Sequence, residues 1–109
     1  MSPRRRSKQR DAGKSEFAFR LYIVEGAPHS MLAVAHIKEL CEKHFAGRYT
    51  LEIMDVLEHP RRILSDRILA TPTLIKLRPA PPIRIIGDLS EAPKVLAALG
   101  ITETQRQGL

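Results

Sequence analysis

Two short apolar runs separated by prolines constrain the fold of this 109-residue chain more than any other feature. The runs Leu74–Leu77 and Ile83–Ile86 carry the aliphatic and β-branched residues that are typical of strands. Three of the four residues in Pro79–Pro82 are prolines, which donate no backbone hydrogen bond, so this connection is predicted to be a loop. Ser90 is a suitable N-cap for a following helix. The C-terminal half therefore predicts a strand, a loop, a strand and a helix.

The first half of the chain predicts a strand–helix–strand unit. Phe17–Val24 has apolar side chains on both faces, as expected of an interior strand. The periodicity from Met31 to Ala46 is helical, with an apolar stripe that contains Ala33, Val34, Ile37, Leu40, Cys41 and Phe45. Tyr49–Val56 is more mixed in polarity, which indicates an edge strand. Because a long helix joins the two strands, we expect them to be parallel with a right-handed crossover.

Two further helices complete the predicted order. The second begins at Pro60, and its apolar residues are predicted to cover the sheet: Ile63, Leu64, Ile68 and Leu69. The third runs from Glu91 to Leu99 and ends at Gly100. The resulting order, βαβαββα, is that of a minimal α/β thioredoxin-like domain with a mixed four-stranded sheet. In that fold a cis-proline precedes the third strand, and Pro72 is predicted to be this structural cis-proline.

The positive charge is concentrated at the N-terminus. The formal net charge is +6, and six basic residues lie in residues 1–14 beside the single acid Asp11, so the remaining chain is nearly neutral. We expect residues 1–14 to form a disordered basic tail, residues 15–101 the folded domain, and residues 102–109 a frayed C-terminus. The tail carries no aromatic residues for stacking on bases, so a solubilising role is favoured over contact with nucleic acid.

The composition also suggests a cellular location. No apolar run approaches the roughly 20 residues that span a bilayer, so no membrane partner is predicted. Cys41 is the only cysteine, so an internal disulfide cannot form. We therefore expect a cytoplasmic protein.

None of the candidate chemical groups forms an active site. A thioredoxin-type redox centre needs a thiolate where the first strand meets its helix, yet Glu25–Met31 contains no cysteine and Cys41 belongs to the apolar stripe. His36, Cys41 and His44 match no usual zinc spacing. The acids Asp55, Asp66 and Asp88 have no paired carboxylate, and no glycine-rich phosphate loop is present. We predict no catalytic residue, no cofactor and no metal.

Four motifs resemble the KaiB family, the clock proteins that partner the KaiC ATPase. They occur in family order with compatible spacing, and together they extend over about residues 17–99. They are Leu21-Tyr22-Ile23-Val24 followed by a glycine and a proline, Asp55-Val56-Leu57, Ile68-Leu69-Ala70-Thr71-Pro72-Thr73-Leu74, and Arg84-Ile85-Ile86-Gly87-Asp88-Leu89-Ser90.

The resemblance implies a non-enzymatic regulator that binds a KaiC-type hexameric ATPase and modulates its phosphorylation state or output. It also implies metamorphism, in which a homo-oligomer, a tetramer or dimer, rests with a rearranged C-terminal half. This KaiB ground state is the alternative fold. Ala98 and Gly100 stand where the family typically has a glycine and an aspartate. Alanine favours helix over glycine by about 1 kcal/mol, so we expect the thioredoxin-like arrangement.

Carried over position by position, the resemblance implies a partner-binding surface that involves Thr50, Glu52, Arg67 and Arg84. The alternative for each residue is an ordinary solvated position at the sheet edge, and Glu52 stands where the family commonly has lysine. Two other functions remain open. One is a redox-inactive thioredoxin-like interaction domain in stress signalling, and the other is nucleic-acid contact through the basic tail.

Overall fold

The computed structural model describes residues 15–100. The predictions for the basic tail 1–14 and the frayed segment 102–109 lie outside the described residues. The elements, in chain order, are β1 (Phe17–Ile23), α1 (Pro28–Phe45), β2 (Tyr49–Asp55), α2 (Pro60–Ser65), β3 (Thr73–Arg78), β4 (Ile83–Ile86) and α3 (Ala92–Ala98). The predicted βαβαββα order is confirmed.

The strands form one mixed sheet in the order β2-β1-β3-β4. β1 pairs with β2 in parallel, as the crossover through α1 predicted, and β3 pairs antiparallel with both β1 and β4. β1 is therefore interior and β2 lies at an edge, as their side-chain patterns indicated. The β1–β3 register shifts between Ala18 and Phe19.

The larger core lies between the sheet and the helices α1 and α3. Alternate residues of β1 point into it because successive side chains of a strand face opposite sides. The Phe17 and Phe45 rings stack with their centroids 4.2 Å apart. Cys41 is fully buried, as its place in the apolar stripe predicted. The core residues contributed by β1, α1 and α3 are Phe17, Phe19, Leu21, Ile23, Ala33, Ile37, Leu40, Cys41, Phe45, Val95 and Leu96.

The smaller core lies on the opposite face of the sheet, beneath α2. It contains Tyr22, Met54, Ile68 and Ile75, with Val56 and Ile63 packed against it. The cluster is small because α2 has only six residues.

The prediction that Leu64 and Leu69 cover the sheet is wrong, because both side chains are exposed. The next residue on a helix is rotated by about 100°, so Leu64 points away when Ile63 faces the sheet. After α2 ends at Ser65, the positive φ of Arg67 (54°) turns the chain. The Ile68 amide then donates to the Ile63 carbonyl (3.0 Å), and Leu69 is left outside.

The start of α3 also differs from the prediction. Ser90 is not its N-cap: that position is Glu91, which makes no side-chain capping hydrogen bond. The Ser90 amide instead donates to Asp88 Oδ1 (3.1 Å), so Asp88 stabilises the turn before the helix. The peptide bonds that precede Pro72, Pro79 and Pro81 are cis.

Candidate partner-binding surface

Two of the four predicted site residues lie in one row across the α2 face of the sheet. In register, Glu52 of β2 is opposite Arg20 of β1, Arg20 is opposite Ile75 of β3, and Ile75 is opposite Arg84 of β4. Residues paired in this way place their side chains on the same face. Each strand therefore contributes one side chain to a row that crosses the whole sheet.

Arg20 is the centre of a polar network in this row. Its Nε donates to Glu52 Oε1 at 2.8 Å, and its Nη1 donates to Asp66 Oδ2 at 3.2 Å. Partial burial disfavours the charged guanidinium, but the hydrogen bond and the negative charge of Glu52 outweigh it and raise the pKa of Arg20 above its usual value. Glu52 therefore has a fixed partner inside the domain.

Asp66 joins α2 to β1 through a second donor. The Tyr22 hydroxyl donates to the same Asp66 Oδ2 that accepts from Arg20. Burial and this hydrogen bond raise the pKa of Tyr22 above its usual value. Since charge-assisted hydrogen bonds are stronger than neutral ones, the C-terminal end of α2 is held firmly on the sheet.

Arg84 completes the attachment from β4. Its guanidinium donates to the backbone carbonyls of Arg67, at 3.1 Å, and of Asp66. These carbonyls lie just after Ser65, the last residue of α2, and a cation at this end of a helix complements the helix dipole. Arg84 therefore holds the turn that follows α2. We call Arg20, Tyr22, Asp66 and Arg84 together the α2 latch.

The other two predicted residues occupy different environments. Arg67 is exposed immediately after α2 and presents its side chain to solvent, while its carbonyl accepts from Arg84. Thr50 lies near the start of β2 opposite Ala18, and only 8% of its surface is exposed. The structure thus places Glu52 and Arg67 beside the α2 latch, which contains Arg84. Thr50 lies two residues before Glu52 on β2, on the same face of the sheet.

Three exposed leucines lie in residues 57–69, the segment that contains α2, and were not among the predicted site residues. Leu57, Leu64 and Leu69 are 74%, 79% and 93% exposed. Each directly follows a residue of the smaller core, namely Val56, Ile63 and Ile68. The sequence did carry a sign of this exposure, because each leucine is the second residue of an adjacent apolar pair. A strand or helix cannot turn both neighbours inward, so one residue of each pair has to face outward.

A second polar cluster lies between α1 and the loop that precedes α3. His36 Nδ1 is 2.6 Å from the Asp88 carbonyl, so this nitrogen carries the proton and donates. Hydrogen bonds from Ser90 hold the pKa of Asp88 below its usual value. A cavity of about 310 Å³ adjoins this contact. The cluster fastens the loop to α1.

The junction of β1 and α1 provides no nucleophile. Ser30 is buried there, and its Oγ accepts a hydrogen bond from the Val24 amide at 3.0 Å. Within residues 15–100, no group of three or more histidine, cysteine or acidic side chains is arranged to hold a metal ion. No helix in the same range is long and apolar enough to cross a bilayer.

Comparison with known sequences agrees with the motifs. Residues 20–101 match the family model of the KaiB domain. The circadian clock oscillator protein KaiB of Prochlorococcus marinus (strain MIT 9312) is 42% identical over 102 residues, which cover 89% of this chain and 97% of that protein. The protein of the same name from Trichodesmium erythraeum (strain IMS101) is 43% identical over 88 residues, covering 81% of this chain and 85% of that protein.

Comparison with solved structures supports the fold. Chloroplastic thioredoxin z superposes with a TM-score of 0.69 at 19% identity, covering 87% of this chain and 85% of that one. The N-terminal domain of Synechococcus elongatus SasA superposes with a TM-score of 0.64 at 24% identity, covering 82% and 88%. These similarities establish a thioredoxin-like fold.

Proposed function

Because the chain belongs to the KaiB family of non-enzymatic circadian clock regulators, we propose that it binds a KaiC-type hexameric ATPase and modulates its phosphorylation state or output. It does so by protein–protein contact, without a cofactor, and in the cytoplasm. The observation that carries this proposal is the convergence of Glu52, Arg67 and Arg84 at the α2 latch. These residues lie near the C-terminal end of a short helix that side chains of β1 and β4 hold in place.

The residues at this surface have two roles within this proposal. Arg84 and Glu52 are positioning residues, since Arg84 holds the turn that follows α2 and Glu52 holds Arg20. Arg67 is the contact residue, because its side chain is exposed at the end of α2. A guanidinium there suits a carboxylate on the partner. Thr50, buried in β2, contributes through the shape of the strand.

The test is size-exclusion chromatography with light scattering, with the full chain alone and then mixed with a KaiC-type ATPase and ATP. Co-elution with the hexamer is expected, and the mass of the free chain reports whether it rests as a monomer, dimer or tetramer. A free chain that never joins the hexamer would contradict the proposal and favour a redox-inactive thioredoxin-like interaction domain with another partner.

Charge reversal tests the contact residue. Arg67→Glu is expected to weaken ATPase binding about tenfold, because it loses one ionic contact and adds a like charge. Lys38→Glu is the matched control, since it makes the same charge change at an exposed position of α1. Equal affinities of the two variants for the ATPase would show that Arg67 is not part of the interface.

A further inference from the structure

Two histidines of α1 converge on Asp88, in the loop of residues 87–91 that connects β4 to α3. His36 Nδ1 donates to the Asp88 carbonyl over 2.6 Å, and His29 Nδ1 lies 3.8 Å from the carboxylate oxygen Oδ2. The two histidines lie about two helical turns apart on one side of α1. Asp88 is therefore contacted at two of its oxygens, in each case by a side chain that can gain a proton.

The loop backbone is strained directly after Asp88. Leu89 has a φ of 64°, in the left-handed region that a residue with a side chain adopts only at a cost in energy. The Leu89 side chain is buried in the larger core. Core burial and the contacts to Asp88 together hold the loop in this conformation. Weakening the contacts to Asp88 therefore favours relaxation of the loop.

Charged and titratable groups on several elements surround the two histidines. Besides Asp88, those that line the adjoining cavities come from α1, the loop and α3: Glu39, Lys43, His44, Glu91 and Lys94. Glu91 and Lys94 form an ion pair at 3.1 Å and together carry no net charge. Glu39 and Lys43 are likewise one acid and one base. Asp88 is therefore the charge that determines how the two contacts respond to protonation.

We propose that His29, His36 and Asp88 form a pH-responsive clasp, which holds the loop and α3 on α1 more tightly at mildly acidic than at mildly alkaline pH. We call these three residues the Asp88 clasp. It lies on the α1/α3 face of the sheet, so the inference is independent of the proposed ATPase contact around the α2 latch.

The direction of the response follows from the two contacts. Histidine is the side chain that changes charge in roughly the range from pH 5 to 8. Protonation of His36 makes its bond to the Asp88 carbonyl charge-assisted, and such bonds are stronger than neutral ones. Protonation of His29 creates an ion pair with the Asp88 carboxylate. This carboxylate stays ionised throughout the range, because hydrogen bonds from Ser90 lower the pKa of Asp88. Both contacts therefore weaken as pH rises and the histidines lose their protons.

The experiment measures urea denaturation of the full chain at about pH 5.5 and about pH 8. The variant His29→Gln/His36→Gln keeps a hydrogen-bond donor at both positions but cannot gain a proton. His59→Gln is the matched control, since it makes the same change at an exposed histidine before α2. His44 and the buried Lys76 of the same face stay unchanged in every variant, so their contributions cancel in the comparison.

The expected result is a pH-dependent difference between the wild type and the double variant. The ratio of the variant's unfolding equilibrium constant to that of the wild type is expected to be about fivefold larger at the acidic pH. The same ratio for His59→Gln is expected to stay constant. A ratio for the double variant that does not change with pH, or that changes equally for His59→Gln, would overturn the proposal.

Two further measurements test the clasp without relying on the double variant. Asp88→Asn keeps an oxygen for the Ser90 amide and the carbonyl for His36 but removes the charge that faces His29. It is expected to reduce the fivefold effect to about twofold. Amide hydrogen exchange, corrected for its intrinsic pH dependence, is expected to show greater protection of residues 87–98 of the wild type at the acidic pH. Unchanged protection in this segment would contradict the clasp.

Discussion

The two faces of the sheet are covered by very different amounts of structure. The α1/α3 face carries two helices and an extended core of aromatic and aliphatic side chains. The α2 face carries a six-residue helix over four buried residues, with a polar latch beside them. Apolar burial grows with the covering area, so the first face supplies most of the stability. The α2 face contributes less to stability, and its residues form the proposed partner-binding surface.

The largest expected effect compares two adjacent residues of β3. Leu74 is fully buried in the larger core, and Ile75 lies in the smaller core. Leu74→Ala is expected to lower the free energy of unfolding by about 4 kcal/mol, and Ile75→Ala by about 2 kcal/mol, because the smaller cluster relaxes more easily around a cavity. Urea denaturation measures both. Equal losses would show that the two faces contribute alike.

The next effect tests whether the latch compensates for the small core. Asp66→Ala leaves Arg20 and Tyr22 without their shared acceptor and is expected to cost about 2 kcal/mol of unfolding free energy. Glu58→Ala is the control, since Glu58 is exposed in the same layer. The measurement is again urea denaturation. If the two variants were equally stable, the polar contacts would contribute nothing.

A smaller effect concerns Lys76, a charged residue that is buried on the otherwise apolar α1/α3 face. It lies between Phe19 and Ile83 in register, it is only 3% exposed, and its amine has no hydrogen bond or ion pair within residues 15–100. Burial lowers the pKa of Lys76 below its usual 10.5. Lys76→Met is expected to stabilise the domain by about 1 kcal/mol at neutral pH, because it removes a desolvated charge.

The pH dependence of this variant follows from the direction of the shift. Between the lowered pKa and 10.5, the unfolded chain binds more protons at Lys76 than the folded chain does. The wild type therefore gains stability from this residue as pH rises through that window. The advantage of Lys76→Met should shrink over the same range, as measured by urea denaturation between pH 7 and 10.5. A constant difference would mean that the amine is solvated.

The well-covered face was the more predictable of the two. Apolar periodicity placed the larger core on β1 and α1. In each element a single repeat, of 2 residues in the strand and 3.6 in the helix, sets which side chains are buried. The prolines in residues 79–82 likewise predicted the loop between β3 and β4. The bounds of β4, Ile83–Ile86, are as predicted.

The α2 face was less predictable because its structure depends on contacts between distant residues. The apolar pairs Ile63-Leu64 and Ile68-Leu69 gave no indication of which member turns inward. That choice depends on where α2 ends and on the positive φ of Arg67. The latch joins Arg20 to Asp66 across 46 positions of sequence. It could be recognised only after the register of the sheet was known.

The hydrogen bonds from Arg84 link the outermost strand of the sheet to the end of α2. Stabilisation of either element is therefore shared with the other. We expect a partner that binds α2 to slow amide hydrogen exchange in β4, and we expect fraying of β4 to lower affinity at α2 by the same coupling free energy. The four residues of β4 are therefore expected to contribute to partner binding at α2 through this link.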